Sequence, residues 1–225
     1  MKPTAATFIA KGTIKAADLE HRKKINFNIG RYNAAVPQGK QQFSNLEVAR
    51  ERAKNIKWRA IENLDQQLEQ FEAVITQRGA RVIWAEDADQ ARKEVLKICR
   101  DKNCKTVVKS KSMVTEEIKI NDFLHENNIE SFETDLGEYI QQLDGETPYH
   151  IVTPAMHKSK EDVAKVFYEK LDTPPNLSPK ELTLIARENL RKKYVEAEVG
   201  ITGANFIVSD IGGVALTENE GNGRL

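Results

Sequence analysis

Residues 105–117 read KTVVKSKSMVTEE and place a short apolar strand directly before the start of a helix. The run TVVK contains β-branched residues, which favour strands. Ser112 follows and is a residue type that caps helix N-termini well. A strand followed at once by a helix is the repeating unit of α/β proteins. This stretch therefore predicts a parallel sheet covered by helices.

The same alternation continues on both sides of this stretch. Strands are predicted at 81–85, 105–109, 129–135 and 149–154, and helices at 87–100, 112–126, 136–143 and 159–171. A last helix over 179–198 leads into two strands within 201–210 and 212–219, joined as a hairpin by Asp-Ile-Gly-Gly. The pattern predicts a three-layer, Rossmann-like α/β fold with helices on both faces. Ligands of such sheets bind at the carboxyl ends of the strands.

The N-terminal part of the chain is predicted to be different. Residues 1–43 read as a helical arm in which VPQGKQQ breaks the helix, and residues 44–225 as the α/β domain. Apolar residues recur every three or four positions over 44–78, which predicts one long amphipathic helix with Gly79 as its C-cap. Its apolar stripe is expected to cover a core, with a coiled-coil partner as the alternative.

Charge and composition exclude several classes of protein. The 225 residues contain 34 basic and 34 acidic side chains, so the basic excess of a nucleic-acid-binding protein is missing. No apolar run approaches the roughly 20 residues of a transmembrane helix, and the N-terminus is a poor signal peptide. The two cysteines, Cys99 and Cys104, indicate free thiols in a reducing cytoplasm and cannot form a metal site alone.

Two strand-to-helix junctions carry candidate binding residues. At the first, Lys109, Ser110, Lys111 and Ser112 predict an anion site, because helix N-termini and lysines both attract negative charge. A capped helix with solvated lysines explains the same residues. At the second junction Asp135 is placed to cap a helix, with Glu138 completing a capping box. The carboxylates of this junction, including Glu133, are also compatible with acid–base chemistry.

Two further stretches offer ligand contacts. In HIVTPAMH, the strand separates His150 from His157 too far for a shared metal, and His157 lies at the functional end, where it fits ligand contact or proton transfer. Glycines and small polar residues crowd the C-terminal stretch and let backbone approach a ligand closely. The candidates there are Gly203, Asn205, Gly212, Gly213, Thr217, Glu218, Asn219, Glu220, Gly221 and Asn222.

Five motifs in this order carry a family resemblance: KSKSMVTEE, ETDLGEYIQQL, PYHIVTPAMH, GITGANF and TENEGNGR. Together they resemble the LUD-domain family, and most closely the iron–sulfur subunits of bacterial L-lactate oxidation complexes. The resemblance covers nearly the whole chain. It implies a fold similar to the superfamily of ribose-5-phosphate isomerase, glucosamine-6-phosphate deaminase and CoA transferases. It also implies a part in oxidising L-lactate to pyruvate, together with the other subunits of the complex.

The sequence departs from this family pattern in its cysteines. The resemblance implies a ferredoxin-like region beyond the LUD domain, whose closely spaced cysteines bind [4Fe–4S] clusters. No cluster ligand can be assigned within residues 1–225. We therefore interpret the chain as the N-terminal portion of a longer protein. The resemblance supplies no catalytic residue, and Glu218 and Glu220 only loosely match the glutamate motif of CoA transferases.

Three hypotheses for function follow. The first is a subunit of an L-lactate-oxidising electron-transfer complex, in which Lys109, Lys111, His157 and the terminal glycine-rich stretch form a pocket for a small anion. The second is a stand-alone isomerase or transferase that binds a phosphorylated or CoA-linked ligand. The third is a non-catalytic domain that assembles partner subunits.

Overall fold

The structure is a computed structural model that describes residues 4–149, 153–217 and 223. The helices, numbered in chain order, are α1 (Ala5–Ala17), α2 (Leu19–Lys40), α3 (Leu46–Glu62), α4 (Leu64–Gln77), α5 (Ala88–Asp101), α6 (Met113–Glu117), α7 (Ile120–Glu126), α8 (Leu136–Asp144), α9 (Lys160–Leu171) and α10 (Pro179–Glu196). The strands are β1 (Thr106–Lys109), β2 (Glu130–Glu133), β3 (Val199–Ile201), β4 (Phe206–Val208) and β5 (Gly213–Ala215).

The chain divides into two compact units. Met1–Ser44 and Ile140–Thr183 form the first, called here the N-terminal unit, and Asn45–Tyr139 and Leu184–Leu225 form the second, the sheet unit. The boundaries fall inside α8 and α10, so each of these helices contributes residues to both units. The prediction of an arm over 1–43 and a domain over 44–225 stays a prediction.

The sheet unit contains the predicted parallel sheet. Its strands lie in the order β2-β1-β3, and β1 pairs in parallel with both neighbours. Val107 and Val108 of the central strand are buried. The α/β class is therefore confirmed, whereas the wider superfamily stays a prediction.

A compact apolar cluster holds these strands to their helices. Cys99 and Leu124, on α5 and α7, are fully buried beside Val107 of β1. Burial of such side chains contributes about 1.5–3 kcal/mol each. The cluster comprises Leu96, Cys99, Cys104, Val107, Ile120, Leu124 and Ile129.

The N-terminal unit is organised around α2 and the segment that leads into α9. Lys24 Nζ on α2 lies 2.5 Å from Asp162 Oδ2, and Asn28 Nδ2 donates to the Met156 carbonyl at 2.7 Å. Ser159 and Asp162 close a capping box at the start of α9. The helix ends within VPQGKQQ, residues 36–42, as predicted, but not at the start of this stretch, because α2 continues through Pro37 to Lys40. Pro37 lies in the last turn of α2, so the backbone N–H that proline lacks and the kink it causes affect only the end of the helix.

The long helix predicted over 44–78 is present in two pieces. It begins after Asn45, whose side chain caps the N-terminus, and is interrupted at Asn63 between α3 and α4. Its apolar stripe was expected to cover a core, yet no residue of either helix is buried. Gly79 follows the end of α4 with φ +90°, the backbone conformation that a helix-terminating glycine adopts.

Two other predicted elements differ from the structure, and a third lies partly outside the described residues. Residues 81–85 form no strand, because this apolar run pairs with none of the described strands. Trp84 of this run is half exposed, and its indole N–H donates to the Glu72 carboxylate. The helix over 112–126 is divided at Lys119, whose φ is +53°. Part of the strand over 149–154 falls on 150–152, outside the described residues.

The C-terminal hairpin is confirmed in shorter form, since β4 and β5 pair antiparallel. Of the strand predicted over 201–210, Ile201 belongs to β3, which joins the parallel sheet, and Phe206–Val208 form β4 of the hairpin. Across the described ranges, none of the helices combines the length and apolar character needed to cross a membrane.

Candidate functional site

The carboxyl ends of the three parallel strands gather the candidate residues at one edge. The backbone ladder extends past the strands, because Ser110 N donates to the Ile201 carbonyl and Thr134 N to the Lys109 carbonyl, each at 2.9 Å. The segments after β1, β2 and β3 therefore start side by side. This is the edge at which α/β sheets bind ligands.

A buried ion pair lies at the centre of this edge. The Lys109 side chain is fully buried, and its Nζ lies 2.8 Å from Glu133 Oε1 and 2.9 Å from Thr115 Oγ1. Asn121 Nδ2 donates to the same Glu133 oxygen at 2.6 Å. The ammonium that the sequence assigned to an incoming anion thus already faces a carboxylate of the protein.

Glu138 is a second buried carboxyl group beside this pair. Asp135 Oδ1 accepts the Glu138 backbone N–H at 3.0 Å, which confirms Asp135 as the cap of α8. The Glu138 side chain does not complete a capping box; it is 1% exposed, and no donor in the described part of the chain reaches either oxygen. Burial first, and Glu133 second, raise the pKa of Glu138 to about 8.

Hydroxyl groups and a close backbone approach connect β1 to β3 beyond the ion pair. Ser110 Oγ lies 2.5 Å from Thr202 Oγ1, and a Cβ added at Gly203 would lie 3.2 Å from that of Ser112. Ser112 caps α6, as its sequence position predicted. Lys111 projects from the same loop as an exposed side chain. Of the two lysines, Lys111 is the one accessible to an external anion.

The glycine-rich stretch has structural roles where it is described. Asn205 Oδ1 accepts the Thr217 backbone N–H at 2.7 Å and so closes the open end of the hairpin. Gly212 has φ +56°, and a Cβ there would lie 2.6 Å from Ile75 N in α4. Gly213 opens β5. The candidates Glu218, Asn219, Glu220, Gly221 and Asn222 lie outside the described residues.

His157 belongs to the N-terminal unit, whereas Lys109 and Lys111 belong to the sheet unit. Its Nε2 lies 2.8 Å from Glu146 Oε2, and its ring centroid is 4.4 Å from that of Tyr149. Tyr149 in turn bonds His21 Nε2 through its hydroxyl at 2.9 Å. His21 and Tyr149 were not predicted as partners, because 128 residues separate them along the chain. Whether His157 contacts a ligand stays a prediction.

Two residues that hold the ion pair, Thr115 and Asn121, were not predicted from the sequence. Glu133 and Glu138 were predicted only as members of a capping or acid–base junction. The available signal was the polar residue that ends each apolar strand, Lys109 on β1 and Glu133 on β2. Adjacent parallel strands bring such terminal residues together.

The cysteines do not fit an iron–sulfur site. Cys99 and Cys104 are both buried in the apolar cluster of the sheet unit. Burial raises the pKa of both thiols, that of Cys104 to about 12, and so disfavours the thiolate that binds metal. A four-thiolate cluster needs two more cysteines than the chain contains. Within the described ranges, no three His, Cys, Asp or Glu side chains are grouped so that they could bind a metal ion.

Comparison with known proteins now gives the family. The model of a family described as LUD domain matches residues 68–225. The chain belongs to the LUD-domain family. The sheet, the buried ion pair and the hairpin described above are thus features of a LUD domain.

Individual relatives match over most of this chain. Lactate utilization protein B of Bacillus velezensis is 48% identical over 189 residues, which is 84% of this chain and 40% of that protein. The protein of the same name from Bacillus subtilis is 46% identical over 82% of this chain and 39% of its own length. An uncharacterized electron transport protein of Escherichia coli, YkgF, is 42% identical over the same shares.

The chain therefore spans about two fifths of the length of the curated relatives it matches. No solved structure matches it significantly.

Proposed function

We propose that this chain is the LUD portion of an iron–sulfur electron-transfer subunit that takes part in the oxidation of L-lactate to pyruvate. The observation that carries the proposal is the 48% identity over 84% of the chain to a lactate utilization protein B. The match extends over 189 residues, so the likeness is not confined to one motif. The electron-transport name of the Escherichia coli relative supports the redox part of the proposal.

The proposal places the [4Fe–4S] clusters outside residues 1–225. The buried, protonated thiols of Cys99 and Cys104 support this placement, because they belong to the apolar core. The LUD portion then contributes the fold, contacts to the other subunits of the lactate-utilisation complex, and the polar edge of the sheet. Cytoplasmic location belongs to the same proposal.

We propose further that the polar edge binds a small anion, with Lys111 as its accessible cation. Lys111 is exposed, whereas the charge of Lys109 is matched by Glu133 at 2.8 Å. The Ser110 and Thr202 hydroxyls lie nearby along the same edge. A carboxylate or phosphate group is the ligand chemistry that such donors favour.

Growth on L-lactate tests the proposal in the native host. A strain lacking the complete gene should lose growth on L-lactate and keep growth on glucose, and the full-length gene should restore it. Growth of the deletion strain on L-lactate at the wild-type rate would contradict the role. Iron and sulfide analysis of the anaerobically purified full-length protein tests the cluster assignment, which an iron-free protein would overturn.

The anion site needs its own variants in the same strain. Lys111→Ala should slow growth on L-lactate at equal protein level. Lys105→Ala is the matched control, since Lys105 is also exposed but precedes β1 at the opposite end of the strand. Normal growth of the Lys111 variant would refute the anion site and leave the role in lactate oxidation standing. Tight binding of a sugar phosphate or CoA thioester by the full-length protein would favour the isomerase or transferase alternative.

A further inference from the structure

At the edge of the sheet, the buried carboxyl group of Glu138 lies near an ammonium that is already paired with another carboxylate. Lys109 faces Glu133, and both side chains are at least 95% buried, with exposed fractions of 0% and 5%. Glu138 is 1% exposed, and Asp135 is 9% exposed. The charged groups around Glu138 are therefore one ammonium, from β1, and two carboxylates, from β2 and the loop before α8.

The hydrogen bonds show how the available donors are used. The Lys109 ammonium contacts Glu133 and Thr115, and the Asn121 amide donates to Glu133. No N–H or O–H group in the described ranges donates to the Glu138 oxygens. An ionised carboxylate that is buried without donors or a counter-charge is strongly unfavourable. Binding a proton removes that penalty.

Glu133 offers the natural acceptor for such a proton. Its negative charge is the neighbouring charge that most raises the pKa of Glu138, and two ionised carboxylates have no hydrogen to share. A proton on Glu138 turns the repulsion between the two groups into a hydrogen bond. With that proton, Lys109, Glu133 and Glu138 carry one ammonium, one carboxylate and one neutral acid, so the charges of these three residues balance, and Asp135 remains as a neighbouring carboxylate.

We propose that Glu138 holds a proton at neutral pH and that Lys109, Glu133 and Glu138 form a buried proton-exchange site at the ligand-binding edge of the sheet. The exchanged proton moves between a Glu138 carboxyl oxygen and water or an oxygen of a bound hydroxy or carboxylate ligand, with no change in oxidation state. Buried, shifted carboxyl groups of this kind are typical of acid–base sites. The proposal is independent of the role in lactate oxidation, because it predicts a bound proton without any substrate.

Infrared spectroscopy of the full-length protein tests the resting proton directly. With ¹³C-labelled glutamate, the wild type should show a protonated-carboxyl band at pH 6 that disappears by pH 9. The difference spectrum between wild type and Glu138→Gln should contain this band. Glu161→Gln, which changes an exposed glutamate in the first turn of α9, should leave it unchanged. Absence of the band in the wild type, or its persistence in Glu138→Gln, would overturn the proposal.

Two further measurements test the surroundings of the proton and its access to ligands. Asp135→Asn keeps a capping side chain but removes a neighbouring negative charge, so the band should disappear at lower pH than in the wild type. Saturating L-lactate, pyruvate or inorganic phosphate should shift the midpoint if the site exchanges protons with a ligand. An unshifted midpoint with all three probes would overturn the acid–base role. This result would be distinct from a failure of the growth experiment.

Discussion

Removal of the Lys109 ammonium should destabilise the sheet unit strongly. Lys109 and Glu133 have side-chain exposures of 0% and 5%, and their charged atoms are 2.8 Å apart. Lys109→Met keeps most of the side-chain volume but removes the ammonium that lies beside the buried Glu133 carboxylate, and the Asn121 amide that remains is a neutral donor. Loss of one partner of such a pair costs about 3–5 kcal/mol of unfolding free energy.

A double variant separates the electrostatic loss from a packing defect. In Lys109→Met/Glu133→Gln both charges of the pair are removed, and the amide oxygen still accepts from Asn121. The double variant should therefore recover about 1.5 kcal/mol or more relative to Lys109→Met alone. Lys105→Met serves as the exposed control and should change stability by less than about 0.5 kcal/mol.

Urea unfolding followed by tryptophan fluorescence measures these differences in the correct part of the chain. Both tryptophans of the chain, Trp58 and Trp84, belong to the sheet unit. A Lys109→Met variant within about 1 kcal/mol of wild type would refute the strong dependence on a buried ion pair. A double variant whose loss equals the sum of the two single losses would show that the residues are not coupled.

Three other variants test separate features. The pKa of Glu138 is about 8 against an ordinary 4.5, so the free energy of unfolding is highest below pH 4.5 and falls by up to about 5 kcal/mol as the pH rises through 8. In urea titrations, Glu138→Gln should therefore gain stability over wild type from pH 5 to pH 8. A difference that does not change with pH would contradict this. Gly212→Ala should cost about 3 kcal/mol, because φ is +56° and the new Cβ would lie 2.6 Å from Ile75 N, whereas the roomier Gly213→Ala should change the melting temperature little. Asp162→Ala should lower the free energy of unfolding by about 1 kcal/mol through the lost capping box. Because the pKa of Asp162 is lowered to about 2, this loss of stability should be complete above pH 4 and shrink as the pH falls towards 2. A loss that is unchanged at pH 2 would count against the mechanism.

Local sequence patterns predicted the elements that depend on neighbouring residues. The strand at 105–109, the cap at Ser112, the cap at Asp135 and the antiparallel hairpin are all present. Each rests on side-chain preferences that act within a few residues. The resemblance to LUD domains was likewise carried by short motifs, and the family match confirms it.

Patterns that depend on distant partners were less informative. The apolar run at 81–85 has strand character but pairs with nothing, and the stripe on α3 and α4 is not buried. Ile201, predicted as the start of the hairpin, belongs instead to β3, which pairs with β1. Strand pairing and burial depend on which distant segment packs against a stretch of chain, and the local periodicity of the sequence does not show which segment that is.

The same division applies to the candidate site. The sequence by itself determined a parallel sheet, a family, and a polar edge containing Lys109 and Asp135. Only the tertiary structure decided that Lys109 faces Glu133, that Glu138 lies 1% exposed beside them, and that Gly212 serves close packing against α4. The physical reason is that burial and charge pairing change the protonation and availability of a side chain, and both arise only when remote segments meet.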